Sequence, residues 1–355
     1  MYPRVTVDLP KLRRNLDALT TLCHSQGIAV AIVTKVFCAD ERIVKLIDDS
    51  AADMIADSRL ENLRAASTCK PKLLLRIAMP SEAEAVVTDS DMSLQSEPAT
   101  ILALDAAARK LGVRHAVLLM VDMGDLREGL FFSERDAILD AARLTAGCSG
   151  LSLAGIGVNL TCYGGILPSR ENLTALADIA QSIREGLGVE LPIVSGGNSS
   201  TMAMLLEGSV PKGINHLRLG ESFVLGNDTS TGTPVDFLCT DAFTLEAEIV
   251  ELKRKPSVPI GKAGPNAFGE YVRFEDKGEQ LRAICAIGRQ DADAESLAAL
   301  DDNISILGAS SDHLIVDLTH APGYNVGDVI RFRPGYGSLL RLFTSRYVKR
   351  AYINE

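Results

Sequence analysis

The run Val30-Ala31-Ile32-Val33-Thr34-Lys35 places a lysine behind four consecutive apolar residues, three of them β-branched. Such a run reads as a strand buried on both faces, and Lys35 stands where it ends. Desolvating an ammonium disfavours its charge, which makes the amine a nucleophile able to form a Schiff base with a carbonyl. The ordinary alternative is a lysine that snorkels its charge into water. Three further segments bear on the choice. Val121-Asp122-Met123-Gly124-Asp125-Leu126-Arg127-Glu128-Gly129 puts an arginine behind another apolar run, where a guanidinium either forks a carboxylate or serves a surface ion pair. Ser195-Gly196-Gly197-Asn198-Ser199-Ser200-Thr201 combines small residues, hydroxyls and a helix start, which is either a capped turn or an anion cradle of backbone N–H groups. Arg218-Leu219-Gly220-Glu221 adds an arginine and a glycine that lets backbone approach a ligand closely. Lysine, carboxylate fork and phosphate cradle together imply an amino acid and a phosphate-bearing aldehyde. That is the chemistry of pyridoxal 5'-phosphate.

The elements that must position these residues alternate along the chain. Apolar runs predict strands at Val30–Thr34, Met54–Ala56, Leu73–Ile77, Met92–Gln95, Ala116–Val121, Ala154–Val158, Pro192–Val194 and His216–Leu219, with amphipathic helical spacing between them. Strand–helix alternation gives parallel pairing with right-handed crossovers. Eight such units in about 225 residues predict a TIM-type (β/α)8 barrel, with its site at the carboxyl ends of the strands. A doubly wound sheet is the competing architecture, but the first strand is not followed by a G-x-G-x-x-G turn. Those strand ends carry Lys35, Asp57, the Asp122–Gly129 run, Asn159-Leu160-Thr161-Cys162-Tyr163, the Ser195–Thr201 run and Arg218–Glu221.

Beyond Gly232-Thr233-Pro234 the texture changes to short strands separated by turn signals: Leu245–Leu252, Val258–Ile260, Leu281–Ile287, Ile304–Leu307, Leu314–Leu318 and Val329–Phe332. The expected division is an α/β barrel over 1–232 and a mostly β domain over 233–355. A formal charge of −10 argues against nucleic acid or an anionic membrane as principal partner. Seven scattered cysteines without a C-x-x-C pair suit free thiols in a reducing compartment, and neither a disulfide framework nor a zinc site. The N-terminus has no apolar signal region, and no apolar run is long enough to span a bilayer. A cytoplasmic enzyme without a metal is expected.

These residues together resemble the alanine racemase-like fold-type III pyridoxal phosphate enzymes, and more closely their alanine/ornithine racemase branch. Pro3–Leu9 and Lys11–Asn15 are similar to the family's opening, and Lys35 lies where its Schiff-base lysine lies. The resemblance implies that Arg127 binds substrate, that Asn198-Ser199 holds cofactor phosphate, and that Arg218 meets the pyridine nitrogen while the amides of Gly220 and Glu221 hold phosphate. Tyr347, in Thr344-Ser345-Arg346-Tyr347-Val348, is the counterpart of a phosphate-binding tyrosine. Gly308-Ala309-Ser310-Ser311-Asp312-His313 resembles the segment that reaches into the partner subunit's site, which implies a homodimer and makes Asp312 a substrate-binding residue. Together with Gly288-Arg289-Gln290-Asp291 it marks the ornithine racemase branch, so ornithine or lysine is the implied substrate. The distal ammonium of either calls for a carboxylate, for which Asp312, Asp125 and Glu221 are available.

The chain departs from the family at four positions. Ala39 stands where the family has a phosphate-binding tyrosine, Met120 where it has a carbamylated lysine, and Asn159 where it has a ring-stacking histidine. The family's second catalytic base, a tyrosine, aligns near Lys262, which leaves Lys262, Cys162, Tyr163 and Asp312 open for that role. Rival readings are an alanine or broad-specificity racemase, a fold-type III decarboxylase, a cofactor carrier without turnover, and a Schiff-base aldolase using Lys35 alone. The chain lacks the decarboxylases' late Cys-Glu-Ser-Gly-like motif, and the carrier class has no second domain. The aldolase reading leaves Arg218 and Gly220 without a role.

Overall fold

The eight apolar runs form eight parallel strands. In the computed structural model, which describes residues 1–354, the chain begins with strand β1 (Arg4–Asp8) and helix α1 (Leu9–Ser25). It continues β2 (Ala29–Val33), α2 (Glu41–Asp48), β3 (Met54–Asp57), α3 (Leu60–Ala65), β4 (Lys72–Leu74), α4 (Ala83–Asp89), β5 (Met92–Gln95) and α5 (Pro98–Leu111). Next come β6 (His115–Asp122), the two-residue β7 (Leu130–Phe131), α6 (Arg135–Gly147), β8 (Leu151–Gly157), α7 (Arg170–Leu187), β9 (Ile193–Ser195), α8 (Met202–Leu206), β10 (His216–Leu219) and α9 (Glu221–Leu225). The sheet runs β5-β4-β3-β2-β10-β9-β8-β6, and pairing of β5 with β6 closes it into a barrel. It belongs to a compact unit spanning Lys11–Thr240.

Period-two patterning divides each strand between two cores. Leu118 and Met120 of β6 pack with Ala31, Ala56, Leu73 and Leu94 of the other strands, filling the barrel interior. Val117, Leu119 and Val121 face the opposite way and pack against helix residues such as Ile101, Ile138 and Ile179. Met120, at 0% exposure, is part of the interior packing. Glycine is required at Gly155 of β8, because a Cβ there would lie 2.0 Å from the Ile193 carbonyl oxygen and 2.7 Å from Leu118 Cδ2. Backbone cannot give way as a side-chain tip can, so Gly155→Ala is expected to cost about 3 kcal/mol. Equilibrium denaturation should register this as a lower midpoint; an unchanged midpoint would contradict the tight β8–β9 approach.

The second unit comprises Met1–Pro10 and the chain from Asp241 onward. A short antiparallel pair, β11 (Asn227–Asp228) and β12 (Thr233–Pro234), precedes it. Its strands are β13 (Phe243–Pro256), β14 (Glu279–Cys285), β15 (Leu297–Ala299), β16 (Ser305–Ala309), β17 (Leu314–Asp317), β18 (Val329–Pro334) and β19 (Lys349–Ile353), with α10 (Tyr336–Thr344) before the last. They pair in the order β15-β18-β13-β14-β17-β16. The N-terminal β1 enters this sheet, antiparallel to β13 and parallel to β19. Val5 and Val7 point into its core at 0% exposure, and Arg4 pairs with Glu246 across the register.

One expected strand does not form. Val258–Ile260 is irregular, because Ser257 closes a loop by accepting the Lys277 amide on its hydroxyl at 2.7 Å and donating its own amide to Gly278 O at 2.9 Å. Pro259 has no ladder donor, and Gly261 is left-handed at φ +128°. Conversely, α10 forms where glycines at 335 and 337 mask the helical spacing of Leu339, Leu342 and Phe343, all buried.

Candidate active site

Lys35 opens a single 3-10 turn (Lys35–Phe37) directly after β2. Thr34 before it is fully buried and anchored to the next strand, donating its amide to Ala56 O at 2.8 Å and its hydroxyl to Asp57 Oδ2 at 2.6 Å. Asp57, also at 0% exposure, accepts further from Asn62 Nδ2 at 3.1 Å and Arg59 N at 2.9 Å. Burial nonetheless pushes its carboxyl above the usual range. After the lysine, Cys38 and Ala39 are both left-handed, at φ 49° and 48°. For non-glycine residues each costs about 1–2 kcal/mol, and Phe37 locks the bend by packing edge-on to Phe223 of α9, centroids 6.2 Å apart. The turn after Lys35 is thus held from two sides.

Arg218, on the neighbouring strand β10, is the largest fully buried side chain of the unit. Its Nη1 donates to Ser195 Oγ, and its Nη2 donates to Val158 O at 2.7 Å and Asn159 Oδ1 at 2.6 Å. Ser195 Oγ also shares a hydrogen bond with His216 Nδ1 at 2.8 Å. Burial, then the Arg218 charge, pulls His216 down to about 3, so it stays neutral. Burial also lowers Arg218 to about 10, against the pull of Glu128, so it stays charged. Gly157 makes room for the guanidinium: a Cβ there would stand 3.2 Å from Ser195 Cβ and 3.5 Å from Arg218 Nη1.

On the far side of Asn159 the network continues. Asn159 Nδ2 donates to Glu128, whose carboxylate is also forked by Nε and Nη2 of Arg127. Arg127, singled out by sequence, is therefore joined through Glu128, a residue given no role there, to Asn159 and so to Arg218. The same β6 loop carries Asp125, fully buried. Its carboxylate accepts the amides of Tyr163 at 2.8 Å, Cys162 at 3.1 Å and Ile166 at 3.1 Å. Burial opposes ionisation, but these amides offset it and hold the carboxyl below the usual range. Asp125 is committed to the backbone of the 162–166 loop, where Tyr163 is 77% exposed and Cys162 Sγ receives Asn198 Nδ2 at 3.4 Å.

The third group lies at the ends of β9 and β10. Asn198 caps the turn, its Oδ1 accepting Ser200 N at 2.8 Å while its Nδ2 reaches Leu160 O at 3.0 Å. Ser199 Oγ sits among backbone donors, accepting Gly220 N at 3.1 Å and Ser222 N at 3.2 Å. Gly220 abuts the end of the Lys35 strand: a Cβ there would lie 3.1 Å from Val33 Cβ. The hydroxyls of Ser200 and Ser222 are buried without a partner among the described residues. Neither serine carried a role in the sequence reading, although Ser200 lies within a run it singled out and Ser222 directly follows another. Glu221 is half-buried and receives Asn227 Nδ2 at 3.2 Å; burial pushes its carboxyl up, against that bond and the charge of Lys35.

The second unit holds Asp312, Tyr347 and Lys262. The two sequence runs that mark the branch meet: a Cβ on Gly288 would lie 2.3 Å from Ser311 O and 2.4 Å from Asp312 N, and Arg289 N donates to Ser310 O at 2.8 Å. Asp312 is exposed and takes a hydrogen bond from Ser311 Oγ at 2.9 Å. Buried Asp291 accepts Ser345 Oγ at 2.6 Å, and Ser345 Oγ accepts Tyr347 N at 3.0 Å. Tyr347 is thus tethered to the same 288–291 segment, its hydroxyl receiving Arg346 Nη2 at 2.9 Å. Lys262 is exposed on the loop that replaces the expected strand.

A closed (β/α)8 barrel followed by an antiparallel β domain is the alanine racemase fold: an alanine racemase from Streptomyces lavendulae superposes with a TM-score of 0.77 at 20% identity, covering 100% of this chain and 98% of that one. The profile of the family described as "Alanine racemase, N-terminal domain" matches residues 7–228, and the chain belongs to that family. Two relatives extend the likeness over the whole length. The ornithine racemase of Acetoanaerobium sticklandii is 48% identical over 354 residues, 99% of each chain, and the lysine racemase of Thermotoga maritima is 38% identical over 355 residues, again 99% of each.

Proposed function

We propose that this protein, an amino-acid racemase by its full-length relatives, uses pyridoxal 5'-phosphate and acts on α-amino acids with a second, distal amino group, as ornithine and lysine have. The observation that carries the reading is convergence: Lys35, Arg218 and the Ser199–Ser222 cradle stand at the carboxyl ends of the adjacent strands β2, β10 and β9. The residues fit the cofactor. Ser200 and Ser222 offer buried hydroxyls without a partner among the described residues, beside the Gly220 and Ser222 amides that converge on Ser199 Oγ, which suits a phosphate. Asn198, Ser199 and Glu221 frame that cradle. The three Arg218 bonds described leave two of its five N–H groups for a heteroaromatic nitrogen.

When bound, pyridoxal phosphate supplies an electron sink that acidifies the α-proton of an amino acid. Lys35 would hold the cofactor through Nζ, and the same amine would take or return the α-proton on one face. Arg218, held charged, would donate to the ring nitrogen and keep a proton off it, which would moderate the sink and favour proton exchange. Arg127 forks the substrate α-carboxylate. A second acid/base on the other face comes from Cys162 or Tyr163 on the Asp125-pinned loop, or from Lys262 or Asp312 of a second copy. Asp312 and Glu221 are the carboxylates available to a distal ammonium, whereas Asp125 is occupied by backbone.

A homodimer in which the second unit, with Asp312 and Tyr347, completes the neighbouring site is part of the same reading. Exposed Ile260 (91%), Tyr271 (79%), Val272 and Phe274 on the 258–278 loop support it, since large apolar side chains this exposed call for a covering surface. Seven free thiols, and no described helix long and apolar enough to cross a membrane, support a cytoplasmic setting. Purified protein supplied with pyridoxal phosphate should convert L-ornithine or L-lysine to its D-enantiomer on chiral chromatography, with specific activity falling on dilution as dimers dissociate. Carbon dioxide release in place of a D-product would favour a decarboxylase, and full activity of a monomer at nanomolar concentration would defeat the shared site.

A further inference from the structure

We infer that Glu128 is a positioning residue that couples the substrate-binding arginine to the arginine at the cofactor; this rests on the function proposed above. Its carboxylate is largely enclosed, with a side-chain exposure of 16%, and it has two partners of different kinds. On one edge it takes Nε and Nη2 of Arg127, and Oε1 also takes Nδ2 of Asn159. The first contact fixes the plane of the Arg127 fork. Held by a rigid carboxylate, a guanidinium loses less freedom when a second carboxylate arrives on its remaining edge.

The contact with Asn159 acts further. An amide side chain has one accepting and one donating end, and here the donors and acceptors around it leave a single orientation. Arg218 has only N–H groups to offer, so Asn159 must present Oδ1 to it at 2.6 Å. Nδ2 then needs an acceptor, and Glu128 is that acceptor. Remove the carboxylate, and Asn159 loses the group that aligns it; Arg218 in turn loses a fixed acceptor beside the N–H groups left for the cofactor. The cluster also has a charge logic. Two cations, Arg127 and Arg218, flank one anion, so a net positive charge remains to meet an incoming α-carboxylate. Glu128 is the carboxylate that holds this arrangement together.

Glu128→Gln tests it, because the side chain keeps its shape while its amide end turns donors toward Arg127 or Asn159. With pyridoxal phosphate bound, the expected result is a KM for the diamino acid raised on the order of tenfold, the loss of one charge-assisted contact, with kcat changed much less. The pH midpoint of the bound cofactor's visible absorbance should also move, since the surroundings of Arg218 change. Glu128→Asp, which keeps the charge on a shorter arm, should restore part of both. Arg127→Ala should cost KM markedly less in the Glu128→Gln background than in wild type, as coupled residues require. Wild-type KM together with a wild-type absorbance titration in Glu128→Gln would overturn the inference. If the wild-type protein itself developed no cofactor absorbance, the proposed function would fail first, so the two failures are distinct.

Discussion

Lys35→Ala is expected to abolish racemisation, lowering the rate by on the order of 10⁴-fold or more, because in the proposed mechanism one side chain both holds the cofactor and exchanges the α-proton. The fold should survive. Thr34, Phe37 and the left-handed pair Cys38-Ala39 define the turn through contacts that do not involve the lysine head group, and Lys35 is only half-buried. Lys35→Arg should be almost as inactive, since a guanidinium keeps its proton and cannot act as an amine nucleophile. Partial rescue of Lys35→Ala by a small primary amine would separate lost chemistry from lost structure. The measurement is initial rate by chiral chromatography alongside thermal unfolding. A variant that retained more than a few per cent of wild-type rate would remove Lys35 from the centre of the mechanism.

Arg218→Ala is the second large effect, and here stability and activity fall together. The residue is 2% exposed, and its guanidinium serves Ser195 Oγ, Val158 O and Asn159 Oδ1. Truncation leaves three enclosed acceptors without their donors and a cavity between β8, β9 and β10. Breaking a buried charged network of this kind costs about 3–5 kcal/mol, which in a domain of this size lowers the midpoint by on the order of 10 °C. Arg218→Lys should recover part of the stability but little activity, because a single ammonium cannot span three acceptors and still reach a ring nitrogen. Thermal unfolding of the cofactor-free protein isolates the structural part. An Arg218→Ala protein within about 1 kcal/mol of wild type would mean that the network does not bear on stability.

The sequence carried the barrel because its strands are local signals. An apolar run such as Val30–Val33, ended by a polar residue, depends on no distant partner, and Lys35 at its end was legible for the same reason. The groups of the proposed site were legible as strand ends. What escaped was long-range. β1 hydrogen-bonds with β13 some 240 residues away, and nothing in Val5-Thr6-Val7 announces that partner. Val258–Ile260 reads as a strand by composition, yet Ser257 and Gly278 close it off as a loop. Glu128 and Asn159 escaped as a pair for a similar reason: their contact joins two strand ends 31 positions apart. Asp125 looked like a carboxylate for a substrate, and only the structure shows it spent on the amides of residues 162, 163 and 166.

The central claim is that this barrel exchanges the α-proton of a diamino acid through Lys35. Incubation of L-ornithine, and separately L-lysine, with purified protein and pyridoxal phosphate in heavy water tests it most directly, read by NMR of the α-position and chiral chromatography of the product. The expected result is a D-enantiomer carrying deuterium at the α-carbon, with no such product from the Lys35→Ala protein. Loss of the α-carboxyl group, or no incorporation at the α-carbon of any amino acid tested, would contradict it.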